Sequence, residues 1–384
     1  MQKQTVKCPD RRGTDSIKWG VYEEDVLPLW VADMDFTSPL PVIEALRSRV
    51  DHGIFGYPQE PPLLKELVIE RMKKRYGWII TPKDILLVPG VVPGFNLVCQ
   101  AATKPGGSMI LQTPVYPPFL YAPANAGVRG IHCELLQQTD GSFVYDLEAF
   151  ESAIEVDTSC FLFCNPHNPV GKVFTREELM KIAQICLQHH MIICSDEIHS
   201  DLIFSGSEHI PIASLSEEIS DSTVTLLAPS KTFNIAGLEC SVLICTNPEL
   251  MKKVKKARRG LIGGVNLMGL SAGVAAYREG EPWLEEMITL LEENRDFLFD
   301  FLKKRIPQIK MHKPDATYLA WLDCRDLALE EGPYQFFLKN AKVALNNGED
   351  FGKGGEGYVR LNFGCPRTTL EEALVRMEKA VKER

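Results

Sequence analysis

Lys231 stands in the stretch TVTLLAPSKTFNIAG, directly after residues 223–228, an apolar and β-branched run that predicts a buried strand. A lysine that is anchored at the end of a core strand and partly removed from water can lose its proton near neutral pH. The neutral amine can then form a Schiff base with an aldehyde. Taken alone, the stretch fits an ordinary surface lysine equally well. The rest of the chain has to decide between these two interpretations.

Other chemically useful groups follow the remaining predicted strands. In an open α/β sheet, ligands bind beyond the carboxyl ends of the strands, so groups placed there can meet around one ligand. The groups expected at this edge are the backbone near Val91 and Val92 at the start of a helix, the ring of Tyr116, the amide of Asn168, the carboxylate of Asp196 and the hydroxyl of Ser230.

A phosphate cradle, a stacking ring, an amide, a carboxylate and a lysine are together the groups that a pyridoxal phosphate site needs. The helix start and Ser230 suit the phosphate. Tyr116 can cover one face of the ring, Asn168 can bond its phenolic oxygen, and Asp196 can keep the pyridine nitrogen protonated. Asp196 by itself would more often be a helix cap or an ion-pair partner. The prediction therefore depends on all five groups lying at one edge.

The elements that position these groups alternate between strand and helix. Residues 160–164 form an apolar strand, Thr175 and Glu178 form a capping box for the next helix, and residues 191–195 form another strand. This order predicts two parallel strands joined by a right-handed crossover. Further strands are predicted at 84–90, 108–112, 223–228 and 241–245.

The regular alternation fades after about residue 280. A helix at 282–305 leads from there into a shorter α+β region that closes with an amphipathic helix at 368–383. With 384 residues, the chain is long enough for one large and one small domain.

Composition narrows the class of protein. The formal net charge of −9 argues against general nucleic-acid binding, and the basic run KKVKKARR reads as the solvated face of a helix. No signal peptide and no membrane span are apparent. The eleven cysteines are scattered without a C-x-x-C pair, which is typical of a reduced, cytoplasmic protein. The eight histidines show no metal-binding spacing, so no metal is expected.

The motifs resemble those of the fold-type I pyridoxal phosphate enzymes of the class I/II aminotransferase superfamily, and more narrowly the MalY/PatB-type carbon–sulfur (cystathionine) β-lyases. The resemblance spans nearly the whole chain and rests on RRGTDSIKWG, LPLWVADMDF, GIFGYP, NPHNPVG, SDEIHSDL, APSKTFNIAGL and YVRLNFGCPR. It implies an α/β fold like that of aspartate aminotransferase, in which a large domain holds the cofactor on a mostly parallel seven-stranded sheet between helices. A small α+β domain would come from both chain ends, with residues 1–44 joining it, 45–281 forming the large domain and 282–384 the small one.

The resemblance also implies roles for individual residues. Lys231 would bind the cofactor aldehyde, with Asp196, Asn168 and Tyr116 in the roles given above. Arg360 would bind the substrate α-carboxylate through its two-pronged guanidinium. The active unit would be a homodimer in which Tyr57 reaches the phosphate in the neighbouring subunit.

Three positions depart from the related aminotransferase pattern S-x-S-K-x5-G-x-R and from its D-x-x-Y motif. Ala228 replaces the first serine, Glu239 stands at the place of the phosphate-binding arginine, and His199 takes the place of the tyrosine beside the cofactor. The phosphate must then depend more on the backbone near Val91 and Val92, on Ser230 and on Tyr57. The histidine favours the lyase subfamily over the transaminases.

The function predicted from these features is a β-elimination that converts L-cystathionine or a cysteine S-conjugate to pyruvate, ammonia and a thiol. The first alternative is an aminotransferase, which shares the early steps and differs in where the proton returns. The second is a cofactor-bound regulatory protein that engages a protein partner through its surface. Whether Asp33 and Asp35 contact the substrate is left open by the sequence.

Overall fold

The computed structural model describes residues 7–384 of the chain. The strands are β1 (Leu27–Pro28), β2 (Ile85–Val88), β3 (Ser108–Thr113), β4 (Arg129–Glu134), β5 (Leu136–Gln137), β6 (Phe143–Val144), β7 (Thr158–Cys164), β8 (Ile192–Asp196), β9 (Thr223–Leu227), β10 (Ser241–Ile244), β11 (Lys310–Met311), β12 (Leu319–Asp323), β13 (Val343–Ala344), β14 (Asn346–Asn347) and β15 (Tyr358–Asn362). The helices are α1 (Ile17–Gly20), α2 (Leu40–His52), α3 (Pro62–Tyr76), α4 (Val91–Ala102), α5 (Pro118–Asn125), α6 (Leu147–Ser152), α7 (Arg176–Gln188), α8 (Glu217–Asp221), α9 (Pro229–Thr232), α10 (Pro248–Arg258), α11 (Leu267–Glu279), α12 (Glu281–Arg305), α13 (Pro333–Phe336) and α14 (Arg367–Lys382).

A seven-stranded sheet with the order β2-β10-β9-β8-β7-β3-β4 organises the first two thirds of the chain. Only β10 runs antiparallel to its neighbours, so the prediction of a mostly parallel sheet is confirmed. The predicted β–α–β unit is present as β7, α7 and β8, whose two strands pair in parallel. Strand β4, with the sequence RGIHCE, was not indicated by the apolar pattern because it is an edge strand with mostly exposed residues.

Both faces of this sheet are covered by helices, which explains why its central strands are buried and mostly apolar. Phe95 and Val98 of α4 pack on one face, and Leu179 and Ile182 of α7 pack on the other. Each of these side chains is fully buried, and burial of one such side chain contributes about 1.5–3 kcal/mol. The sheet is thus rigid, and the ends of its strands hold the groups that follow them in fixed positions.

A second sheet, with the order β11-β12-β15-β14, lies in the C-terminal third and packs with α12 and α14. The N-terminal segment joins this part of the chain, because β1 pairs in parallel with β13. The pairing agrees with a small region built from both chain ends, while the boundaries at residues 44 and 281 stay a prediction. No helix among residues 7–384 combines the length and the apolar character that crossing a membrane requires.

Candidate active site

A cavity of about 500 Å³ opens where the central strands of the large sheet end and the second sheet begins. It holds every site residue predicted from the sequence except Tyr57, which is fully exposed elsewhere on this chain. The predicted residues that line the cavity are Val91, Val92, Tyr116, Asn168, Asp196, His199, Ser230, Lys231 and Arg360. The structure therefore brings these nine side chains and backbone segments together, and their individual roles stay predictions.

Lys231 lies on the short helix α9, which begins directly after the buried strand β9. Its Nζ donates a hydrogen bond to the carbonyl oxygen of Ala32, 2.6 Å away. Burial lowers the pKa of Lys231 to about 8, although the nearby carboxylate of Asp33 acts in the opposite direction. A substantial fraction of this amine is therefore neutral at mildly alkaline pH, as a nucleophile or a proton acceptor has to be.

Asp196 is the last residue of β8 and is 4 % exposed. Burial raises its pKa to about 7, and the backbone N–H of Ile198, which donates to Oδ1 over 3.1 Å, partly offsets this effect. A buried carboxylate of this kind gains stability from a cation beside it. A protonated ring nitrogen placed in the cavity would supply that charge.

The start of α4 forms the part of the cavity that suits an anion. Gly90 precedes the helix with a φ of 114°, and no side chain among residues 7–384 caps the first turn. The first N–H groups of a helix have no partner within the helix, so those of Val91 and Val92 remain available to phosphate oxygens. The hydroxyl-bearing Ser230 lines the same cavity.

Glu239, which departs from the aminotransferase pattern, also lines the cavity near the start of α4. It comes two residues before Ser241, which pairs with Val88, three residues before the start of α4. Glu239 is exposed, lines the cavity and has a left-handed backbone with a φ of 50°. Its negative charge is therefore near the place where an anion would bind.

Arg360, on β15, is 4 % exposed and faces the cavity from the second sheet. Its Nη1 donates to the amide oxygen of Asn168 over 2.9 Å, and its Nη2 donates to Oδ1 of Asn346 over 2.6 Å and to the carbonyl of Trp30 over 3.1 Å. Burial lowers the pKa of Arg360 to about 10, so the guanidinium keeps its charge at neutral pH. Its Nε has no partner within the described part of the chain.

His199 and Tyr116 complete the walls beside these charged groups. Burial, followed by the charges of Lys231 and Arg360, lowers the pKa of His199 to about 3, so its imidazole is neutral. Its Nδ1 has no hydrogen-bond partner among residues 7–384. The backbone N–H of Tyr116 donates to the carbonyl oxygen of Asn168 over 3.1 Å, which ties the two strand ends together.

The N-terminal segment contributes a wall that motif reasoning missed. Trp30, Val31 and Ala32 line the cavity, although they lie about 200 positions before Lys231. The sequence did mark this segment, because LPLWVADMDF is one of the motifs that carry the family resemblance. Nothing in its residue types, however, shows that backbone carbonyls of this segment contact Lys231 and Arg360.

Asp33 and Asp35, whose role the sequence left open, form ion pairs within this segment. Arg11 contacts Asp33 over 2.7 Å and Asp35 over 2.8 Å. The fully buried Lys18 contacts Asp35 over 2.8 Å. Both carboxylates therefore tie Arg11 and Lys18 to residues 33–35 within the N-terminal segment.

The fold and the cavity define a class of protein: an α/β enzyme with a partly buried lysine in a cleft at the carboxyl edge of a mostly parallel sheet. The comparison with known families agrees with this class and makes it specific. The chain belongs to the family described as aminotransferase class I and II, whose model matches residues 24–377.

Relatives within this family are similar over almost their whole length. The chain is 43 % identical to cystathionine beta-lyase PatB of Bacillus subtilis over 385 residues, which cover 98 % of this chain and 99 % of that protein. The solved structure of cystalysin from Treponema denticola, which contains pyridoxal 5′-phosphate, matches with a TM-score of 0.95, 35 % identity and full coverage of both chains. A pyridoxal phosphate-bound C–S lyase from Staphylococcus hominis matches with a TM-score of 0.92 and 32 % identity over 98 % of each chain. The resemblance read from the sequence motifs is therefore confirmed.

Proposed function

We propose that this protein is a pyridoxal phosphate-dependent carbon–sulfur β-lyase that converts L-cystathionine or a related cysteine S-conjugate to pyruvate, ammonia and a thiol. The observation that carries the proposal is the partly buried Lys231, which lies in one cavity with Asp196 and Arg360 and has its pKa lowered to about 8. The names of the relatives, a cystathionine beta-lyase and a C–S lyase, supply the reaction type.

The residues of the cavity fit the cofactor. When bound, pyridoxal phosphate supplies an aldehyde for amino groups and an electron-poor ring that accepts the electron pair left at a substrate carbon. Asp196, whose pKa is raised by burial although the charge of Lys231 acts in the opposite direction, would hold the pyridine nitrogen. Asn168 would bond the phenolic oxygen and Tyr116 would cover the ring. The start of α4 and Ser230 would hold the phosphate.

His199 lines the cavity with an uncharged side chain. With a pKa of about 3 it adds no charge to the cavity at the pH of the reaction. Its unpartnered Nδ1 is available to a polar atom of the cofactor ring. We assign it to cofactor binding on these two properties.

Arg360 binds and orients the substrate. Its guanidinium is charged, enclosed and held by Asn168, Asn346 and the Trp30 carbonyl, so it offers a rigid partner for an α-carboxylate. Fixing the carboxylate there places the amino acid Cα near Lys231 in the same cavity, which reduces the entropy lost in reaching the transition state.

Lys231 moves the proton. Its neutral amine accepts the proton from the substrate Cα, and the carbon–sulfur bond at Cβ then breaks with the electron pair leaving on sulfur. The thiolate takes up a proton and leaves as a thiol. The remaining aminoacrylate reacts with one water molecule to give pyruvate and ammonia, so the atoms of substrate and water balance those of the three products.

We also propose that the active unit is a homodimer in which Tyr57 of each subunit reaches the phosphate of the other. Tyr57 is fully exposed on one chain, and the adjacent Ile54 and Phe55 are 64 % and 61 % exposed. Three large apolar or aromatic side chains in one loop favour burial against a second copy.

We propose a cytoplasmic location. The cysteines at residues 8–365 are all free thiols, which fits a reducing compartment.

The test is an assay of the purified protein with pyridoxal phosphate and L-cystathionine in which pyruvate and free thiol are measured together. We expect equal amounts of both products, and a loss of at least about 10³-fold in Lys231→Ala, since the base and the cofactor anchor are both removed. Lys252→Ala, at a lysine whose side chain is 79 % exposed, is the matched control and should keep full activity. Transfer of the amino group to a keto acid without pyruvate release would contradict the proposal and indicate an aminotransferase.

A further inference from the structure

One stretch of backbone runs from the residue that would bind the substrate carboxylate to the residue that would move its proton. The carbonyl of Trp30 accepts from Arg360 over 3.1 Å, and the carbonyl of Ala32 accepts from Lys231 over 2.6 Å. A substrate whose carboxylate is at Arg360 and whose Cα is near Lys231 therefore lies alongside Trp30, Val31 and Ala32. A substrate side chain that extends from there along the wall, carrying the sulfur, would meet the residues beside these three.

This wall is rigid because side chains bind its successive carbonyls. Besides the contacts to Arg360 and Lys231, Tyr318 donates to the carbonyl of Ala32 over 2.9 Å. Asn362 donates to the carbonyls of Val31 and Asp33. A wall that is held at four consecutive residues has a definite shape, and it can select among substrates by that shape.

Ile17 extends the wall at the outer part of the cavity. Its side chain is 63 % exposed, which is unusual for an isoleucine, and it lines both the main cavity and an adjoining cavity of about 540 Å³. The neighbouring Lys18 is fully buried against Asp35, so the short helix α1 is held firmly and Ile17 cannot turn away at low cost. Ile17, Trp30 and Val31 thus form a fixed and mostly apolar surface beside the expected substrate.

Most charged groups of the two cavities are already paired or have a role in the proposed reaction, and Glu239 is the exception among residues 7–384. In the main cavity, Asp196, Lys231 and Arg360 each have a role in the proposed reaction, and Glu239 lies at the anion end near α4. In the adjoining cavity, Arg11, Asp33 and Asp35 bind one another and Lys18. A zwitterionic group at the end of the substrate can pair with Arg11, Asp33 or Asp35 only by breaking one of these ion pairs, at a cost in free energy.

Resting on the proposed lyase function, we infer that the preferred substrates are cysteine S-conjugates with an apolar alkyl or aryl group on sulfur, which packs on Ile17, rather than L-cystathionine. The leaving group of cystathionine carries a second amino and a second carboxylate group, and this part of the cavity offers them an apolar surface. Ile17 is accordingly a residue that determines substrate specificity.

The experiment compares kcat/KM for pyruvate release from S-methyl-, S-ethyl- and S-butyl-L-cysteine and from L-cystathionine, using the cofactor-loaded protein. We expect kcat/KM to rise about fourfold with each added methylene, the factor that corresponds to burial of one CH₂ group, and cystathionine to fall at least about tenfold below the S-butyl compound. In Ile17→Ser the rise should shrink to less than about twofold per methylene, while Ile17→Leu should retain it.

Val21→Ser is the matched control, because Val21 follows the same short helix, is 56 % exposed and does not line either cavity. It should leave the dependence on chain length unchanged. Two results would overturn the inference and leave the lyase function standing. One is a kcat/KM for cystathionine that equals or exceeds that for the S-butyl compound, and the other is an unchanged rise of kcat/KM with chain length in Ile17→Ser. Release of pyruvate from none of the four compounds would overturn both.

Discussion

Nη1 of Arg360 and Oδ1 of Asn168 lie 2.9 Å apart, and this hydrogen bond joins β15 of the second sheet to the loop that follows β7 of the large sheet. Because the amide oxygen of Asn168 accepts from the guanidinium, its NH₂ group is left to donate to a ligand. One contact therefore couples the residue proposed to bind the substrate with a residue proposed to bind the cofactor.

Arg360→Lys should lower kcat/KM for the lyase reaction by about 10- to 150-fold. Lysine keeps the positive charge but loses the planar fork, and one hydrogen bond to a charged group is worth about 1.5–3 kcal/mol. Steady-state kinetics checks the loss, and titration of the apoprotein with pyridoxal phosphate should show less than about a threefold change in affinity. A large loss of cofactor affinity with unchanged kcat/KM would contradict the assignment. Arg278→Lys, at a half-exposed arginine, is the control.

Asp196 should make the apoprotein less stable as the pH rises. Its pKa of about 7 in the folded chain lies above the ordinary value of 3.8, so between about pH 4 and pH 7 the folded state holds a proton that the unfolded state has lost. The stability contributed by that proton is present below pH 4 and is lost as the pH passes 7. Asp196→Asn removes this dependence.

We therefore expect urea unfolding of the two apoproteins to diverge with pH. Relative to Asp196→Asn, the unmodified chain should lose about 3 kcal/mol between pH 5 and pH 8, since each pKa unit corresponds to about 1.4 kcal/mol. Burial lowers the pKa values of His199 and His167, so these two residues make the folded chain more stable as the pH rises. Both proteins contain them, so this opposite effect cancels when the stability difference between the two proteins is used. A difference that stays constant over this range would mean that Asp196 titrates like an exposed carboxylate.

Glu239→Gln should raise the affinity for pyridoxal phosphate by about three- to tenfold at low ionic strength. The substitution removes a negative charge beside the start of α4, where the phosphate dianion is expected, and the gain should shrink as salt screens the two charges. Cofactor titrations at about 20 mM and 500 mM salt would measure this. Glu249→Gln, at a glutamate with a side chain 79 % exposed on α10, should leave the affinity unchanged. Equal gains at both salt concentrations would refute an electrostatic cause.

Lys18→Met should destabilise the folded chain by about 3 kcal/mol or more. The lysine is fully buried and its partner Asp35 has a side chain 2 % exposed, so the substitution removes one of the two cations that contact a buried carboxylate. Urea unfolding at neutral pH gives the value, and Lys252→Met should change it by less than about 0.5 kcal/mol. A change in the free energy of unfolding below about 1 kcal/mol would show that Arg11 alone compensates the charge of Asp35.

The local features of the chain predict a large part of the candidate site. Lys231, Asn168 and Tyr116 each follow a mostly apolar strand, Asp196 is the last residue of another, and the turn before α4 follows β2. Because the carboxyl ends of parallel strands lie at the same edge of a sheet, local order along the chain is enough to place these groups in one cleft. The edge strand β4 escaped this reasoning because strand residues that are not buried lack an apolar signal.

The sequence by itself determined the class of fold, the family and the set of groups at the sheet edge, because these depend on short apolar strands and the residues directly after them. Only the tertiary structure decided which distant groups meet: Lys231 with the carbonyl of Ala32, 199 positions away, and Arg360 with Asn168, 192 positions away. It also decided the pKa values of Lys231 and Asp196, because desolvation depends on every element packed around a group and not on its neighbours in the chain. The position of Ile17 at the mouth of the cavity has the same origin, since the buried pair of Lys18 and Asp35 holds its helix there.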